Sequence, residues 1–491
     1  MCFALIHSLI CNILLLSSLK ISKSKSKLKG SERAMPSESL KKLFAVLLAL
    51  ISIAYIIVQA IYGYQFLDTS VSLTISLQNS LASSEAFVLF MEIVSVMSGA
   101  QVVITGVILV AIDPIKIRSI KLVFLMVAVE SILPYLMALY HYPRPYYLYP
   151  EVKAIGCDNI FGNPSGHGIF TSFIFPVFYW MYISKEYFPK GASYQQIPNT
   201  PDETDQAGET IPHDLNAVPD LHNLGVESQL LISIRESSYW RYIIMGFLIL
   251  LGLTCGLSRI FLGLHTLAEV MCGWAYGTLF CVIFWYGLEG PFDNYLHSLC
   301  LKTFTSVKRQ YVYRSVFLLI YIGLAVLVYE IMRRSDTIAA QEASWAAEIN
   351  EKCPSSSSDS YQKTIVDKTF EYFSHPLFLE GVFLGLLLSN HYKKGYLYDN
   401  TSYLGYKKLI GRIIFYVLIL LIPQILYYIP KPQTEVAGQY FTFFVKKCIP
   451  FYLEGLACAH IAPLLFKRLH LMPSIPEKES RLQNEIADQY E

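Results

Sequence analysis

The segment from Ser258 to Glu269 lies between two apolar runs of the chain, and its last five residues include a histidine, His265, and a glutamate, Glu269. If a helix begins near His265, Glu269 sits one turn further along the same face. A carboxylate in that position can orient the imidazole and raise its basicity, so that His265 could act as a nucleophile or a proton acceptor. The same residues would also suit an ordinary helix end, and the rest of the chain must decide between the two interpretations.

Two other segments supply the groups that a phosphate site requires. The first is Arg-Pro at 144–145, and the second is Pro-Ser-Gly-His at 164–167. Arg144 and Arg259 carry planar guanidinium forks that bind phosphate oxygens two at a time. Ser165 offers a hydroxyl. Gly166 allows close backbone approach just before a helix, where anions are favoured.

Two histidines complete the set of groups that a phosphoryl-transfer site needs. One imidazole can attack phosphorus while the other protonates the leaving oxygen. His265 and His167 are the candidates for these two roles, because each lies beside phosphate-binding residue types.

The composition predicts a membrane protein that crosses the bilayer many times. Of the 491 residues, 54% are hydrophobic and only 16% are charged, and the net charge is +1. That charge balance argues against nucleic acid as a partner. The ten cysteines form no CxxC pairs, so neither a zinc site nor a dense disulfide framework is indicated. We expect an all-α protein with about ten spans, at 43–61, 86–112, 122–140, 169–183, 242–257, 270–286, 316–331, 377–390, 413–428 and 444–465.

The predicted organisation has four parts. A basic N-terminal segment at 1–40 precedes a six-helix membrane core at 41–290, which contains a polar, disordered loop at 184–238. A membrane extension follows at 291–470, and a polar tail at 471–491 ends the chain. Within the core, the stretch from Asp68 to Ser84 is amphipathic and is expected to lie at the interface.

The positive-inside rule places the chemistry-bearing segments on the side away from the cytosol. The short loops rich in Lys and Arg all fall on one side of the ten-span arrangement, with Arg333 and Arg334 as the main exceptions. The three polar segments then face the lumen or the exterior. Cys157 and Cys353 are in outer loops of the same arrangement, where a disulfide between them is feasible. Asn400 falls on the cytosolic side and should carry no glycan.

The three segments together resemble the type 2 phosphatidic acid phosphatase superfamily. Its members include lipid phosphate phosphatases, sphingosine-1-phosphate phosphatases and glucose-6-phosphatase. The resemblance rests on Arg-Pro, then Pro-Ser-Gly-His, then Ser-Arg with five residues before a histidine, and it covers roughly residues 43–288. The last third of the chain shows no such resemblance.

The resemblance implies a role for each site residue. His265 would be the nucleophile that forms a phosphohistidine, with Glu269 as its orienting carboxylate. His167 would be the general acid toward the leaving alcohol. Arg144, Ser165, Gly166 and Arg259 would hold the phosphate, and neither a metal nor a cofactor would be required.

Two positions depart from the family pattern. The family usually has a lysine seven residues before the Arg of Arg-Pro, and here that position is Met137. His141, Lys446 or Lys447 could replace the missing cation. The family aspartate is here Glu269, which is one methylene longer.

These departures leave alternatives to an active phosphatase. The leading expectation is hydrolysis of a lipid phosphate monoester or diphosphate, with lipid as substrate and surrounding membrane as partner. A phosphotransferase, a sugar-phosphate phosphatase and a catalytically impaired lipid-phosphate binder or transporter would use the same site. The location could be the endoplasmic reticulum, another endomembrane or the plasma membrane. The oligomeric state is not indicated.

Overall fold

The computed structural model describes most of the two predicted membrane regions. Its described residues are 38–97, 116–183, 238–301, 304–353, 364–392, 406–430, 432, 434–469 and 471. Most of the predicted N-terminal segment, the polar loop up to residue 237, Asn400 and nearly all of the tail therefore lie outside the described residues.

All regular secondary structure among these residues is helical, which confirms the all-α prediction. Six long helices form the core, and a short helix α4 lies between the third and fourth of them. The helices are α1 (Glu38–Leu81), α2 (Glu85–Met97), α3 (Lys116–Tyr140), α4 (Pro145–Leu148), α5 (Gly166–Phe178), α6 (Ser238–Phe261) and α7 (Leu267–Ile283). Each of α5 and α7 continues through a π-helical turn, at Tyr179–Ile183 and Phe284–Leu288.

The first helix is much longer than the predicted first span. It has 44 residues with a kink at Tyr62, and at 1.5 Å per residue it extends over about 66 Å, roughly twice the bilayer core. The stretch from Asp68 onward is therefore not a separate interfacial segment, because helix α1 continues through it to Leu81. Its polar residues are used for packing: the Gln78 amide Nε2 donates hydrogen bonds to the carbonyl oxygens of Lys153 and Phe261.

Among the described residues, seven helical stretches are long and apolar enough to cross a membrane. They are Lys42–Leu81, Arg118–Leu148, Tyr239–Phe261, Leu267–Tyr295, Arg309–Arg333, Lys407–Leu426 and Val436–Phe466. Three further predicted spans correspond to shorter helical stretches among the described residues. The second span is described only as far as Met97, the fourth is α5 with its π-helical turn, and the eighth is a helix of 17 residues.

Among its described residues, the extension adds nine α-helices after the core. They are α8 (Glu289–Leu301), α9 (Phe304–Arg333), α10 (Asp336–Lys352), α11 (Ile365–Tyr372), α12 (Pro376–Tyr392), α13 (Tyr406–Leu421), α14 (Glu435–Phe441), α15 (Ile449–Leu456) and α16 (Ala462–Arg468). Helices α12 and α15 cross at two glycines: a side chain at Gly381 would collide with the Tyr452 carbonyl oxygen, and one at Gly455 with that of Phe378. The two Leu-Glu-Gly motifs of the extension thus serve close helix packing.

The extension covers the core next to the predicted site. Helix α10 packs against the short helix α4, and Trp345 stacks on Tyr147 with ring centroids 6.0 Å apart. A disulfide joins Cys157 of the core to Cys353 of the extension, which confirms the pairing suggested by the sequence. The extension is therefore attached directly to the loop that precedes Pro-Ser-Gly-His.

Candidate active site

Arg144 lies at the centre of the polar site. Its guanidinium is buried, with 1% of the residue exposed. Nη1 donates hydrogen bonds to the Leu264 carbonyl oxygen at 2.8 Å and to Nε2 of His265 at 2.7 Å. Nη2 donates to Oδ2 of Asp158 at 2.8 Å, and Nε donates to the Ile160 carbonyl oxygen at 3.2 Å. Since these four partners come from two separate loops, Arg144 fixes the loops relative to each other.

His265 and Glu269 are neighbours, although the helix begins later than expected. Helix α7 starts at Leu267 after the N-cap residue Thr266, so His265 lies in the loop before the helix. The pair is brought together by a capping box, in which Oε2 of Glu269 accepts a hydrogen bond from the Thr266 amide at 2.8 Å. The same Oε2 lies 3.6 Å from Nδ1 of His265. A longer carboxylate can therefore still reach the imidazole, because the capping turn folds it back.

The Pro-Ser-Gly-His segment forms the start of helix α5. Ser165 is the N-cap residue, and its hydroxyl oxygen accepts a hydrogen bond from the Gly168 amide at 3.3 Å. Its hydroxyl hydrogen is not used in that bond and can be donated to an anion. A Cβ at Gly166 would lie 2.6 Å from Cδ2 of Leu133, so a larger residue there would require the Leu133 side chain to move.

Arg259 reaches the same site from the end of helix α6. Its Nη1 donates to the Ser95 hydroxyl of helix α2 at 2.8 Å, and its Nη2 lies 3.9 Å from Oδ2 of Asp158. One carboxylate oxygen of Asp158 thus interacts with both arginines. The two guanidinium groups that were predicted to hold phosphate are brought to one point.

The surroundings of both histidines favour the neutral imidazole. Burial is the largest cause that lowers the pKa of His265 well below 6.5, and the charges of Arg144 and Arg259 lower it further. Burial, followed by the charges of Arg259 and Arg144, likewise lowers the pKa of His167 well below 6.5. His167 lies in the first turn of α5 and close enough to His265 to contribute to its shift.

The two histidine-bearing segments meet because helices α5 and α7 pack backbone to backbone. Side chains at Gly273 or Gly277 would collide with the carbonyl oxygens of Ser165 and Ile169. Gly168 faces the Val270 carbonyl oxygen in the same way. The spacing of Gly273 and Gly277 is the small-residue pattern of close membrane helix pairs, so the sequence carried a signal for this contact.

Met137 does not supply or mimic the missing lysine. It is 2% exposed and belongs to the apolar cluster that lines the core. Of its suggested replacements, Lys447 is 3.7 Å from Oε2 of Glu371, and Nδ1 of His141 is 3.1 Å from the Leu139 carbonyl oxygen. These contacts give no support to a substitute cation at the phosphate site.

Two polar residues of the site were not recognised from the sequence. Asp158 is in a loop without a motif, and the adjacent Cys157 was the only hint of its importance. Ser95 looked like an ordinary small residue of an apolar span. Neither position could be connected to Arg259 before the packing of α2 and the loop was known.

Comparison with known proteins gave a family match over part of the core. The sequence model of the PAP2 superfamily matches residues 119–291, which run from helix α3 to the start of α8 and include every predicted site residue. Searches of curated proteins and of solved structures gave no match. With its membrane-spanning helices, the protein is thus of the membrane phosphatase type. The chain contains a domain of the PAP2 superfamily, the type 2 phosphatidic acid phosphatases.

Proposed function

We propose that the protein hydrolyses a lipid phosphate, either a monoester or a diphosphate ester, through a phosphohistidine at His265. The observation that carries this proposal is the convergence of Arg144 and Arg259 on one site beside His265. Nε2 of His265 is 2.7 Å from Nη1 of Arg144, so a phosphate held by the arginine would lie next to the nucleophilic nitrogen. Buried guanidinium groups favour the charge that develops on phosphoryl oxygens in the transition state.

The residues suggest a two-step reaction. In the first step, the lone pair on Nε2 of His265 forms a bond to phosphorus, and the bond between phosphorus and the leaving oxygen breaks. Protonated His167 gives its proton to that oxygen, which leaves with the lipid as an alcohol, or as a lipid monophosphate when the terminal phosphate of a diphosphate is attacked. In the second step, water attacks the phosphohistidine and gives a proton to His167, and inorganic phosphate leaves. Glu269 would stabilise the charge on His265 during the first step.

Several observations support a lipid as the substrate. Arg144 follows helix α3 after three residues, and Arg259 lies in the last turn of α6, so both cations are at the ends of membrane helices. The phosphate of a membrane lipid lies at the boundary between hydrocarbon and water, where membrane helices are also expected to end. Arginine charge at this depth would suit a headgroup, and no metal ion would be needed for phosphate binding.

We place the site on the lumenal or outer side of the membrane, in the endoplasmic reticulum, another endomembrane or the plasma membrane. The positive-inside pattern supports this side, and the Cys157–Cys353 disulfide is consistent with an oxidising compartment. Tags inserted into the loop at 184–237 should react only after the inner face of sealed vesicles is opened. Reaction of these tags in intact vesicles would reverse the assignment.

The function is tested by phosphate release from purified protein. A panel should contain phosphatidic acid, a sphingoid base phosphate, a lipid diphosphate and glucose 6-phosphate, each with and without a chelator. We expect hydrolysis of at least one lipid substrate, unchanged by the chelator and absent in His265→Ala. Preference for glucose 6-phosphate would identify a sugar-phosphate phosphatase, and loss of activity on chelation would contradict the mechanism. Added alcohols that accept the phosphoryl group would identify a transferase.

One observation favours a second function, that of a lipid-phosphate binder with little catalysis. Met137 occupies the position of the family lysine and is buried among apolar side chains. A site with one cation fewer can still bind phosphate while it loses transition-state stabilisation. Thermal stabilisation by orthovanadate without hydrolysis of any substrate in the panel would establish the binder.

A further inference from the structure

We propose that Asp158 is a positioning residue of the phosphate site, and that the C-terminal extension holds it there. The carboxylate of Asp158 would keep the guanidinium groups of Arg144 and Arg259 aligned before phosphate binds. This inference rests on the proposed function for its kinetic test and extends it to residues outside the matched domain.

The first argument is the contact between Asp158 and both arginines. Oδ2 of Asp158 is 2.8 Å from Nη2 of Arg144 and 3.9 Å from Nη2 of Arg259. The two buried cations repel each other, and each needs a nearby anion to remain charged and ordered. The Asp158 side chain is 29% exposed, so its carboxylate, unlike the Arg144 guanidinium, is not fully buried.

The second argument is that both polar groups of the Asp158 backbone, the amide and the carbonyl oxygen, are hydrogen-bonded to tyrosines. Its amide donates a hydrogen bond to the Tyr146 hydroxyl at 3.1 Å. Its carbonyl oxygen accepts one from the Tyr147 hydroxyl, also at 3.1 Å. Since both tyrosines belong to helix α4, which starts directly after Arg144, the arginine and its carboxylate partner are fixed by one short element.

The third argument is that the extension holds α4 and the Asp158 loop at three points. Cys353 is bonded to Cys157, the residue before Asp158. Trp345 stacks on Tyr147. Nζ of Lys352 donates hydrogen bonds to the carbonyl oxygens of Tyr146 and Tyr149, at 3.2 and 2.9 Å. All three contacts come from α10 and the residue that follows it.

Helix α11 of the extension ends near the same charged groups. The charge of Asp158 is the largest cause that raises the pKa of the Tyr372 hydroxyl, followed by burial, whereas Arg144 and Arg259 lower it. Tyr372 therefore lies within electrostatic reach of all three charged groups.

The expected behaviour follows from competition between two anions. Asp158 aligns the arginines, but its negative charge also opposes a phosphate dianion. Removing the charge in Asp158→Asn should make inorganic phosphate bind more tightly, by about tenfold, which is within the usual range of coupling between two sites. Catalysis should slow by roughly tenfold or more, because poorly oriented groups cost up to about 10² in rate. A merely structural aspartate would not produce opposite changes in phosphate affinity and kcat.

The test compares Asp158→Asn with Glu151→Gln, which removes an exposed charge from the same loop. Cys353→Ser removes the covalent contact, and Cys448→Ser is its control at a free cysteine of the extension. The measurements are kcat, KM and the inhibition constant of inorganic phosphate. Thermal stabilisation by phosphate is measured in addition, because it requires no turnover and remains informative if the wild type is not a phosphatase.

The proposal is supported if Asp158→Asn lowers the phosphate inhibition constant and kcat together, and if Cys353→Ser changes both in the same directions to a smaller extent. The two control variants should match the wild type. Unchanged phosphate affinity in Asp158→Asn, or weaker affinity, would overturn the positioning role. A normal Cys353→Ser beside an altered Asp158→Asn would remove the extension from the proposal. If Asp158→Asn does not fold, Asp158→Glu replaces it, and wild-type phosphate affinity and kcat in that variant would support a requirement for the charge.

Discussion

Arg144 donates a hydrogen bond of 2.7 Å to Nε2 of His265, so the arginine proposed to bind phosphate and the proposed nucleophile are in direct contact. An arginine is always a donor, and Nε2 must therefore present its lone pair to the guanidinium. That requirement leaves the proton of the neutral imidazole on Nδ1, which faces Glu269 at 3.6 Å. The site thus holds the tautomer that an attack by Nε2 on phosphorus requires. A bound phosphate would replace the histidine as a partner of Arg144.

The first prediction separates the roles of the two histidines. His265→Ala should abolish turnover and any acid-labile phosphoenzyme, because no other imidazole adjoins Arg144 among the contacts described. His167→Ala should instead slow phosphoenzyme formation by roughly 10²- to 10⁴-fold for poor leaving groups, the usual contribution of a general acid. Rapid-quench measurements with an alkyl phosphate and an aryl phosphate provide the comparison. Equal losses for both leaving groups in His167→Ala would contradict its role as the acid.

The second prediction concerns pH. The pKa of His265 is lowered well below 6.5 by burial and by the arginines, so this nucleophile stays neutral as pH falls through 6.5. The pKa of His167 is also lowered, and the fraction of free enzyme with the protonated acid decreases as pH rises. With a poor leaving group, kcat/KM should therefore reach its maximum below pH 6.5 and fall on the alkaline side.

A matched substrate provides the control for this profile. An aryl phosphate leaves without protonation, so its alkaline decrease should be weaker. Folding stability should have the opposite pH dependence to kcat/KM. Because both histidines are buried in neutral form, the unfolded state takes up more protons below pH 6.5, and folding stability should decrease as the pH is lowered. A maximum of kcat/KM above pH 7.5 for the alkyl substrate would be inconsistent with a general acid of low pKa.

The sequence predicted the membrane fold and the grouping of the site residues because both depend on local patterns. Apolar length determines most of the helices, and three short motifs contain Arg144, His167 and His265. Other features depend on contacts between distant segments. The continuation of α1 past Asp68 depends on the packing of Gln78 against two loops. The position of Asp158 depends on α4 and on the extension, which carried no recognisable motif.

The third prediction tests the side chain of Glu269, which is one methylene longer than the aspartate of the family pattern. The carboxylate of Glu269 is held by the Thr266 amide through the capping box, and a shorter side chain can accept the same hydrogen bond. Glu269→Asp should therefore change kcat modestly. Glu269→Gln removes the charge that faces the imidazolium in the transition state, and a loss of about 10²- to 10³-fold in kcat is expected. Thermal unfolding should be measured for both variants, because each alters the helix cap. Equal kcat values for the two would exclude an electrostatic role for the carboxylate.

The fourth prediction concerns Met137, the position at which the family carries a lysine. Met137 is 2% exposed inside the apolar core cluster, so a lysine there must bury its ammonium or reach toward the phosphate site. Without ligand, Met137→Lys should lower the melting temperature, because an unpaired buried charge is costly. Phosphate or orthovanadate should stabilise the variant more than the wild type if the ammonium reaches the anion, and kcat/KM should then rise. Met137→Leu is the matched control, since it keeps the volume and the apolar character, and it should leave both ligand stabilisation and kcat/KM unchanged. Equal ligand stabilisation of Met137→Lys and wild type would show that this position does not face the phosphate, and that the lost lysine has no counterpart on helix α3.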